Sequence, residues 1–394
     1  MKILLIHPHI FVGGAEKAIV YLAYHLNQLG HKVAICSLSI DLDKLPSIAK
    51  KVHYIFPDKR ITPPKPNSTI AAIHSVIIET RELFKLIHDY QDDFDILNPC
   101  NFPAYWSTYA YRNCKPIVWI SSEVFGAYDI AKDAYDRSIF FRMATKVTSS
   151  IDKYIVRKSI DKIITCSELN QRLIKKRYGL DAIVIPTAVD YNFFNINNMS
   201  NPNIKEIDIN NSYILLHVGT FVKRKNQILS IRALHLLKKE IPNVKLILIG
   251  KGPWEAILRS EVKRLELDKD VIFAGHVSEE ELRTLYHISN VNIFPVEEQT
   301  YGLVPLEALA CGKISLVSKN SGVGILMKKL GIGYLINPSV EDIVKGVLEI
   351  WKHPEKFEEN IAKGRAYIRE NINWEKYAMK IMKVYEEVYN TFKK

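Results

Sequence analysis

The segment Phe294–Gly312 (FPVEEQTYGLVPLEALACG) holds the most specific chemical pattern in the chain. An apolar, strand-like run ends in an acidic loop, Glu297-Glu298-Gln299. Gly302 permits a tight turn, and Pro305 suits the first position of a helix. Glu307 then falls in the first turn of that helix. A carboxylate there can accept two hydrogen bonds from a ribose diol, or it can merely complement the helix dipole. The amides around Gly302, Leu303 and Val304 suit phosphate or sugar. A second cluster, Gly219-Thr220-Phe221-Val222-Lys223-Arg224-Lys225-Asn226, closes another strand-like run. Its three cations suit a diphosphate, with Lys225 or Arg224 charge-assisted to the oxygens; a solvated basic turn is the plainer reading. A third, Gly13-Gly14-Ala15-Glu16, lies between a strand and a helix. Paired glycines let backbone N–H groups approach a phosphate or an acceptor, or serve turn geometry alone.

The elements that must position these clusters read as an α/β protein. Lys2–Ile6 is a short branched run typical of a buried parallel strand, Ala15–Leu29 repeats apolar residues at helical spacing, and Lys32–Leu38 is the next strand. That β-loop-α-β unit is the usual start of a doubly wound sheet. The alternation continues with helical stretches at about 70–89 and 128–160, and with strands near residues 96, 117–120, 162–166 and 182–185. The Asn-rich stretch 195–211 lacks core periodicity and reads as a linker. The grammar then restarts at Tyr213, with strands at 213–218, 244–249, 271–273, 291–294, 314–317 and 334–336. Helices at about 340–352 and 374–392 close the chain. Two Rossmann-like domains follow, 1–195 and 212–372 with 196–211 between them, and 373–394 as a final helix.

The bulk properties bound the function. With 394 residues the chain suits two domains, and 47% apolar with 25% charged residues is a globular composition, not a disordered one. No apolar run approaches the roughly 20 residues of a membrane span. His7-Pro8-His9 interrupts the apolar start too early for a secretory signal. The five cysteines form no CxxC, so neither a zinc site nor a disulfide framework is expected, and a reducing, cytoplasmic compartment is. The net charge of +11 fits nucleic acid, an anionic membrane or phosphorylated substrates, or a merely basic surface. Residues 137–160 mix apolar side chains with Arg137, Arg142, Lys146, Lys153, Arg157 and Lys158. This is either a face for anionic headgroups, on the inner side of a membrane, or a solvated helix packed on its sheet. Asp41-Leu42-Asp43 and Asp93-Phe94-Asp95 match a DxD metal pattern, but one short enough to arise by chance; no metal is expected.

In order and spacing these motifs resemble the retaining glycosyltransferases of family four, the group 1 transferases, whose two-domain architecture is called GT-B. The resemblance covers almost the whole chain. It includes Gly13–Glu16, Ile185–Asp190, Gly219–Asn226, Gly250-Lys251-Gly252-Pro253, Phe273–Val277, the 302–312 block and Trp374 opening the last helix. It implies two Rossmann-like domains facing across a cleft, with the last helix returning to the first domain. It implies a nucleotide-sugar donor, UDP- or GDP-linked, with no cofactor. Glu307 would hold the ribose and Lys225, with Arg224, the diphosphate. Gly219, Thr220 and the amides of Gly302, Leu303 and Val304 would line the donor site, and Gly13 and Gly14 would shape the floor near the transferred sugar. His7, His9, Ser122 and Glu123 are the expected acceptor side. The resemblance implies a glycan, lipid-linked or other hydroxyl acceptor, with nucleic acid disfavoured.

The sequence departs from the family pattern at several of these places. Eight residues before Glu307 stands Gln299 where the family carries Glu; Gln299, or Glu298 beside it, would contact the sugar alongside Lys225. Thr220 replaces a frequent Arg, Ser122 occupies a usual His position, and Asn98–Asn101 lacks another. These changes motivate an alternative, a non-catalytic sugar-nucleotide or glycan-binding protein of the same fold.

Overall fold

The structure is a computed structural model, and it describes residues 1–11, 13–59, 61, 69–124, 139–195 and 211–394. They form two compact units, Met1–Thr187 with Trp374–Lys394, and Ala188–Asn373.

In the first unit the strands are β1 (Lys2–Ile6), β2 (His9–Ile10), β3 (Lys32–Cys36), β4 (Ser39–Ile40), β5 (His53–Ile55), β6 (Ile96–Pro99), β7 (Val118–Ser121), β8 (Lys162–Thr165) and β9 (Ala182–Val184). A four-stranded sheet, ordered β5-β3-β1-β6, and a three-stranded sheet, β7-β8-β9, are both parallel. Bridges Leu97–Ile117 and Cys100–Ile120 join them. Ile3–Ile6 are fully buried, as expected for a strand covered on both faces. The order reverses beside β1, the usual place for a ligand site in such sheets. Helix Gly14–Gln28 buries Ile19, Val20, Leu22 and Leu26. The last helix, Trp374–Phe392, packs back on this unit. Its Trp374 ring stacks 4.6 Å from Tyr21, and the Tyr385 hydroxyl donates to Asn98 Oδ1 on β6.

The second unit holds β10 (Tyr213–Val218), β11 (Val244–Ile249), β12 (Val271–Gly275), β13 (Val291–Phe294), β14 (Ile314–Ser318) and β15 (Tyr334–Ile336). They form one parallel sheet in the order β12-β11-β10-β13-β14-β15. The reversal falls between β10 and β13, so the loops leaving these two strands share one edge of the sheet. Both chemical clusters of this half of the sequence lie on those loops.

Several expectations change. The boundary lies after Thr187, not after residue 195. Asp190 accepts from Phe193 N at 3.0 Å, Phe194 meets the Tyr286 ring edge-on, and Arg365 donates to Tyr191 at 3.4 Å; these contacts tie the segment to the second unit. Residues 196–210 of the expected linker, and 128–138 of the expected long helix, lie outside the described residues; that helix is described over Ile139–Ser159. Helices Gly322–Leu330 and Glu358–Asn371 add to the elements expected from the sequence. The first opens on small residues, Gly322 and Gly324, capped by Ser321. The second is polar, with Gly364 fitted closely over Leu309.

Candidate functional site

In the second unit the cationic loop and the acidic loop are tied together. Glu297 N donates to Arg224 O at 2.9 Å, and Asn226 Nδ2 to Pro295 O at 3.0 Å. This zipper places Lys225 Nζ on Gln299 Oε1 and 5.7 Å from the centre of the Phe294 ring. Gln299 is in turn held by Gly322 N, which donates to its carbonyl at 2.9 Å. Of the two sugar-side candidates it is thus Gln299 that meets Lys225. Glu298 is exposed, with a left-handed φ of 51°. The carbonyls of Gly219 and Thr220 accept from Gln227 Nε2 at 3.2 and 3.1 Å, fixing the loop at the end of β10.

Two glycines bring these backbones together. Gly302 has φ +145°, and a Cβ there would lie 2.5 Å from Phe294 Cζ. Gly250 has φ +133°, and its Cβ would lie 2.3 Å from the Gly219 carbonyl oxygen. Beyond Gly302 the helix Val304–Ala310 starts with Pro305 in its first turn, and Glu307 is only 8% exposed. Its Oε2 accepts from the Tyr286 hydroxyl at 2.8 Å. Burial, and then the Glu307 charge, push the Tyr286 phenol well up, so it remains a donor. Tyr286 therefore orients the carboxylate, a functional residue that nothing in the sequence singles out.

Below this loop pair, His217 on β10 is buried, with Nδ1 2.9 Å from Ser230 Oγ. Burial, and then the Lys225 charge, lower its pKa from 6.5 to about 3. The unfolded chain takes up this proton below about pH 6.5, whereas the folded chain refuses it until about pH 3. The contribution is level above that window and falls with pH inside it, by about 2 kcal/mol at pH 5. Denaturant titrations at pH 7 and pH 5 should show the His217→Gln variant losing less stability than the parent chain. An identical loss in both would remove His217 as the titrating group.

The acceptor-side candidates all lie in the first unit. His7 is buried just after β1, and burial, ahead of the opposing Glu16 charge, lowers its pKa. His9 Nδ1 is 2.8 Å from Ser39 Oγ, with Nε2 3.6 Å from Glu79. Gly13 precedes helix Gly14–Gln28, and the Glu16 carboxylate folds back over it: a Cβ on Gly13 would lie 2.1 Å from Glu16 Oε2. A carboxylate thus attends the turn where sequence reading placed phosphate or acceptor. Ser122 N donates to Asn101 Oδ1 at 3.1 Å. Both line a cavity of about 20 Å³, room for roughly one water. The Glu123 carbonyl accepts from Ser121 Oγ at 3.2 Å.

Among the described residues no group of three or more His, Cys, Asp or Glu is placed to hold a metal ion. Asp95 of the second DxD match accepts from Lys2 N at 2.8 Å, at the opposite end of the strands from these loops. Among the described residues no helix is long and apolar enough to cross a membrane.

A family model described as Glycosyltransferase Family 4 matches residues 12–193, and one described as Glycosyl transferases group 1 matches residues 200–386. An alpha-monoglucosyldiacylglycerol synthase of Streptococcus pneumoniae is 26% identical over 245 residues, 59% of this chain and 55% of that protein. The chain thus spans about half the length of the curated relatives it matches. Among solved structures, Anabaena HepE in complex with UDP and glucose superposes with a TM-score of 0.75 at 15% identity, covering 98% of this chain and 100% of that one. A sucrose-phosphate synthase from Thermosynechococcus elongatus gives 0.78 at 18% identity, covering 99% of each. With both halves matched in order and two Rossmann-like domains of the GT-B fold, the chain belongs to the group 1 glycosyltransferases.

Proposed function

We propose that this chain moves a hexose-type sugar from a UDP- or GDP-linked donor to a hydroxyl of a glycan or lipid-linked acceptor, with retention of anomeric configuration and without a cofactor. The observation that carries the reading is the pairing of loops in the second unit, which holds Lys225 on Gln299, together with a buried Glu307 oriented by Tyr286. Lys225 and Arg224 offer countercharge to a diphosphate, Glu307 a carboxylate to a ribose diol, and the amides of Gly302–Val304 contacts to sugar and phosphate. The second unit is then the donor domain, and the first, with His7, His9, Ser122 and Glu123, the acceptor domain. In transfer, the sugar C1–O bond to the diphosphate breaks and the acceptor oxygen bonds to C1 on the same face. The acceptor's proton passes to the leaving diphosphate oxygen. The chain supplies position and countercharge rather than a nucleophile. The Streptococcus relative, an alpha-monoglucosyldiacylglycerol synthase, and the HepE complex with UDP and glucose support a nucleotide-linked donor and a lipid acceptor. The free thiols of Cys36, Cys100, Cys166 and Cys311, all buried, support a cytoplasmic setting.

Incubation with UDP- and GDP-linked α-sugars plus acceptor, read by NMR, tests this. An α-linked product is expected; a β-linked one contradicts retention. Binding of a nucleotide sugar without turnover of any donor favours the alternative, a non-catalytic binder, for which Gln299, Thr220 and Ser122 speak. Glu307→Ala should weaken nucleotide affinity by about 1–3 kcal/mol, measured by calorimetry. Unchanged affinity would remove the ribose assignment.

A further inference from the structure

Four basic side chains of the second unit gather at the far end of the helix that bears Glu307. Helix Glu279–Ile288 carries Arg283 and His287, one turn apart, with Tyr286 between them in sequence. Helix Val304–Ala310 ends at Cys311, and Lys313 follows just before β14. Arg365, on helix Glu358–Asn371, comes next to Gly364, where a Cβ would lie 3.1 Å from Leu309 Cδ1 of that same helix end. The charges of Lys313, Arg283 and Arg365 all act on the Cys311 thiol and on the His287 ring. Burial first, and then these three charges, lower the His287 pKa. Burial also lowers that of Lys313.

The nitrogens of this cluster lack acceptors. Arg283 Nη1 makes one long contact, 3.5 Å to the Phe193 carbonyl, and its guanidinium stacks 4.6 Å over the Phe193 ring, which satisfies none of its N–H groups. Arg365 Nη2 reaches the Tyr191 hydroxyl at 3.4 Å. Arg283 Nε, Arg365 Nε and His287 Nε2 are shielded from solvent and have no hydrogen-bond partner, and His287 is only 7% exposed. Among the described residues none of the three cations forms an ion pair with a carboxylate. Glu307, one turn before Cys311, accepts from the Tyr286 hydroxyl instead. Buried donors without acceptors are rare in a native fold unless something outside the chain meets them.

We propose that Arg283, His287, Lys313 and Arg365 form a binding site for a phosphate-class oxyanion. Guanidinium forks and an ammonium are the donors such a group takes, and its tetrahedral oxygens supply the acceptors that these nitrogens lack. A carboxylate has two oxygens for four basic side chains and would leave donors unmet. The site is not the diphosphate cradle of the donor loops. Lys313 precedes β14, whereas Lys225 and Gln299 follow the ends of β10 and β13, at the other end of the same parallel sheet. The inference is read without donor or acceptor, so its failure leaves the transferase reading standing.

Thermal unfolding of the full chain at constant ionic strength tests it. About 20 mM inorganic phosphate in place of chloride should raise the unfolding temperature by about 2 °C or more, since the ion binds the folded chain. The rise should persist in Lys225→Ala, which removes the cation of the donor loop. It should also persist in Lys345→Gln, a charge loss at an exposed helix position of the second unit. Lys313→Gln, Arg283→Gln and Arg365→Gln should each abolish most of it, and Lys313→Arg should keep it. Each rise is read against the variant's own phosphate-free baseline, so a variant that is merely less stable does not imitate the loss. Calorimetry should show phosphate binding about tenfold weaker in Lys313→Gln and in Arg365→Gln, the effect of one charge-assisted donor. Methyl phosphate binding as well as phosphate assigns the site to a phosphomonoester; its exclusion assigns it to the free ion. No phosphate-dependent rise overturns the proposal. So does a rise that is lost in Lys225→Ala and kept in Lys313→Gln and Arg365→Gln.

Discussion

Lys225→Ala should lower kcat/KM for the sugar donor by about a hundred- to a thousandfold while leaving the fold intact. The ammonium is held at the end of β10 by its hydrogen bond to Gln299 and by the face of Phe294, so its position is set before any ligand arrives. Preorganised charge aimed at a group that gains negative charge in the transition state is worth about this much when removed. The side chain is half-buried and lies on a loop outside the sheet, so stability should change little. Lys225→Arg should recover part of the loss, because charge is kept while the reach and the single-point contact on Gln299 change. The check is steady-state kinetics on the purified variants at saturating acceptor. A kcat/KM within about threefold of the parent chain would show that Lys225 does not face the diphosphate, since even one ordinary hydrogen bond to a charge is worth more than that.

The second large effect is on stability. Asp152, in helix Ile139–Ser159, has no exposed surface, and its carboxylate accepts from four side chains. Tyr105 OH lies at 2.6 Å, Trp106 Nε1 at 3.1 Å, Tyr178 OH at 2.8 Å and Arg177 Nη2 at 3.0 Å. Burial, ahead of the Asp152 charge, pushes the Tyr105 and Tyr178 phenols up, so both remain donors. Asp152→Ala strips the partner from all four and leaves the Arg177 guanidinium half-buried without its countercharge. The expected loss is about 3–5 kcal/mol, the range for breaking one side of a buried ion pair. Asp152→Leu combined with Arg177→Leu should lose less than the sum of the two single changes, because the two side chains act on each other. Urea unfolding followed by the fluorescence of Trp106 and Trp119, both in the first unit, measures this. A loss below about 1 kcal/mol would mean that water replaces the carboxylate and that the network is not what holds the helix.

These two residues mark where sequence is informative and where it is not. Tyr213–Val218, Val244–Ile249 and Val291–Phe294 are legible to the residue, because strands buried on both faces read as unbroken apolar runs with clear ends. Lys225 is legible as a cation on a loop after such a run. Its partner is not: Gln299 lies 74 positions away, and only the reversal of strand order between β10 and β13 brings the two loops together. Tyr286 is hidden differently, since a buried phenol keeps the same helical periodicity as a core residue. Asp152 is hidden by the charges around it; among Lys146, Lys153, Arg157 and Lys158, one acid reads as a surface partner. Helix Glu358–Asn371 escapes because its sequence, EENIAKGRAYIREN, buries Gly364 and Ile368 and little else. The glycine that lowers its helix propensity is the one that lets it lie close on Leu309 of the helix bearing Glu307.

The central claim is a nucleotide-sugar site in the second unit, built on Glu307 and Lys225. Its most direct test is calorimetric titration of the folded chain, and of Glu307→Ala, with UDP, GDP, ADP, TDP and CMP. UDP or GDP should bind the parent chain and raise its unfolding temperature, and Glu307→Ala should weaken that same ligand. No binding by any of the five to the folded chain, or binding indifferent to Glu307, would contradict it.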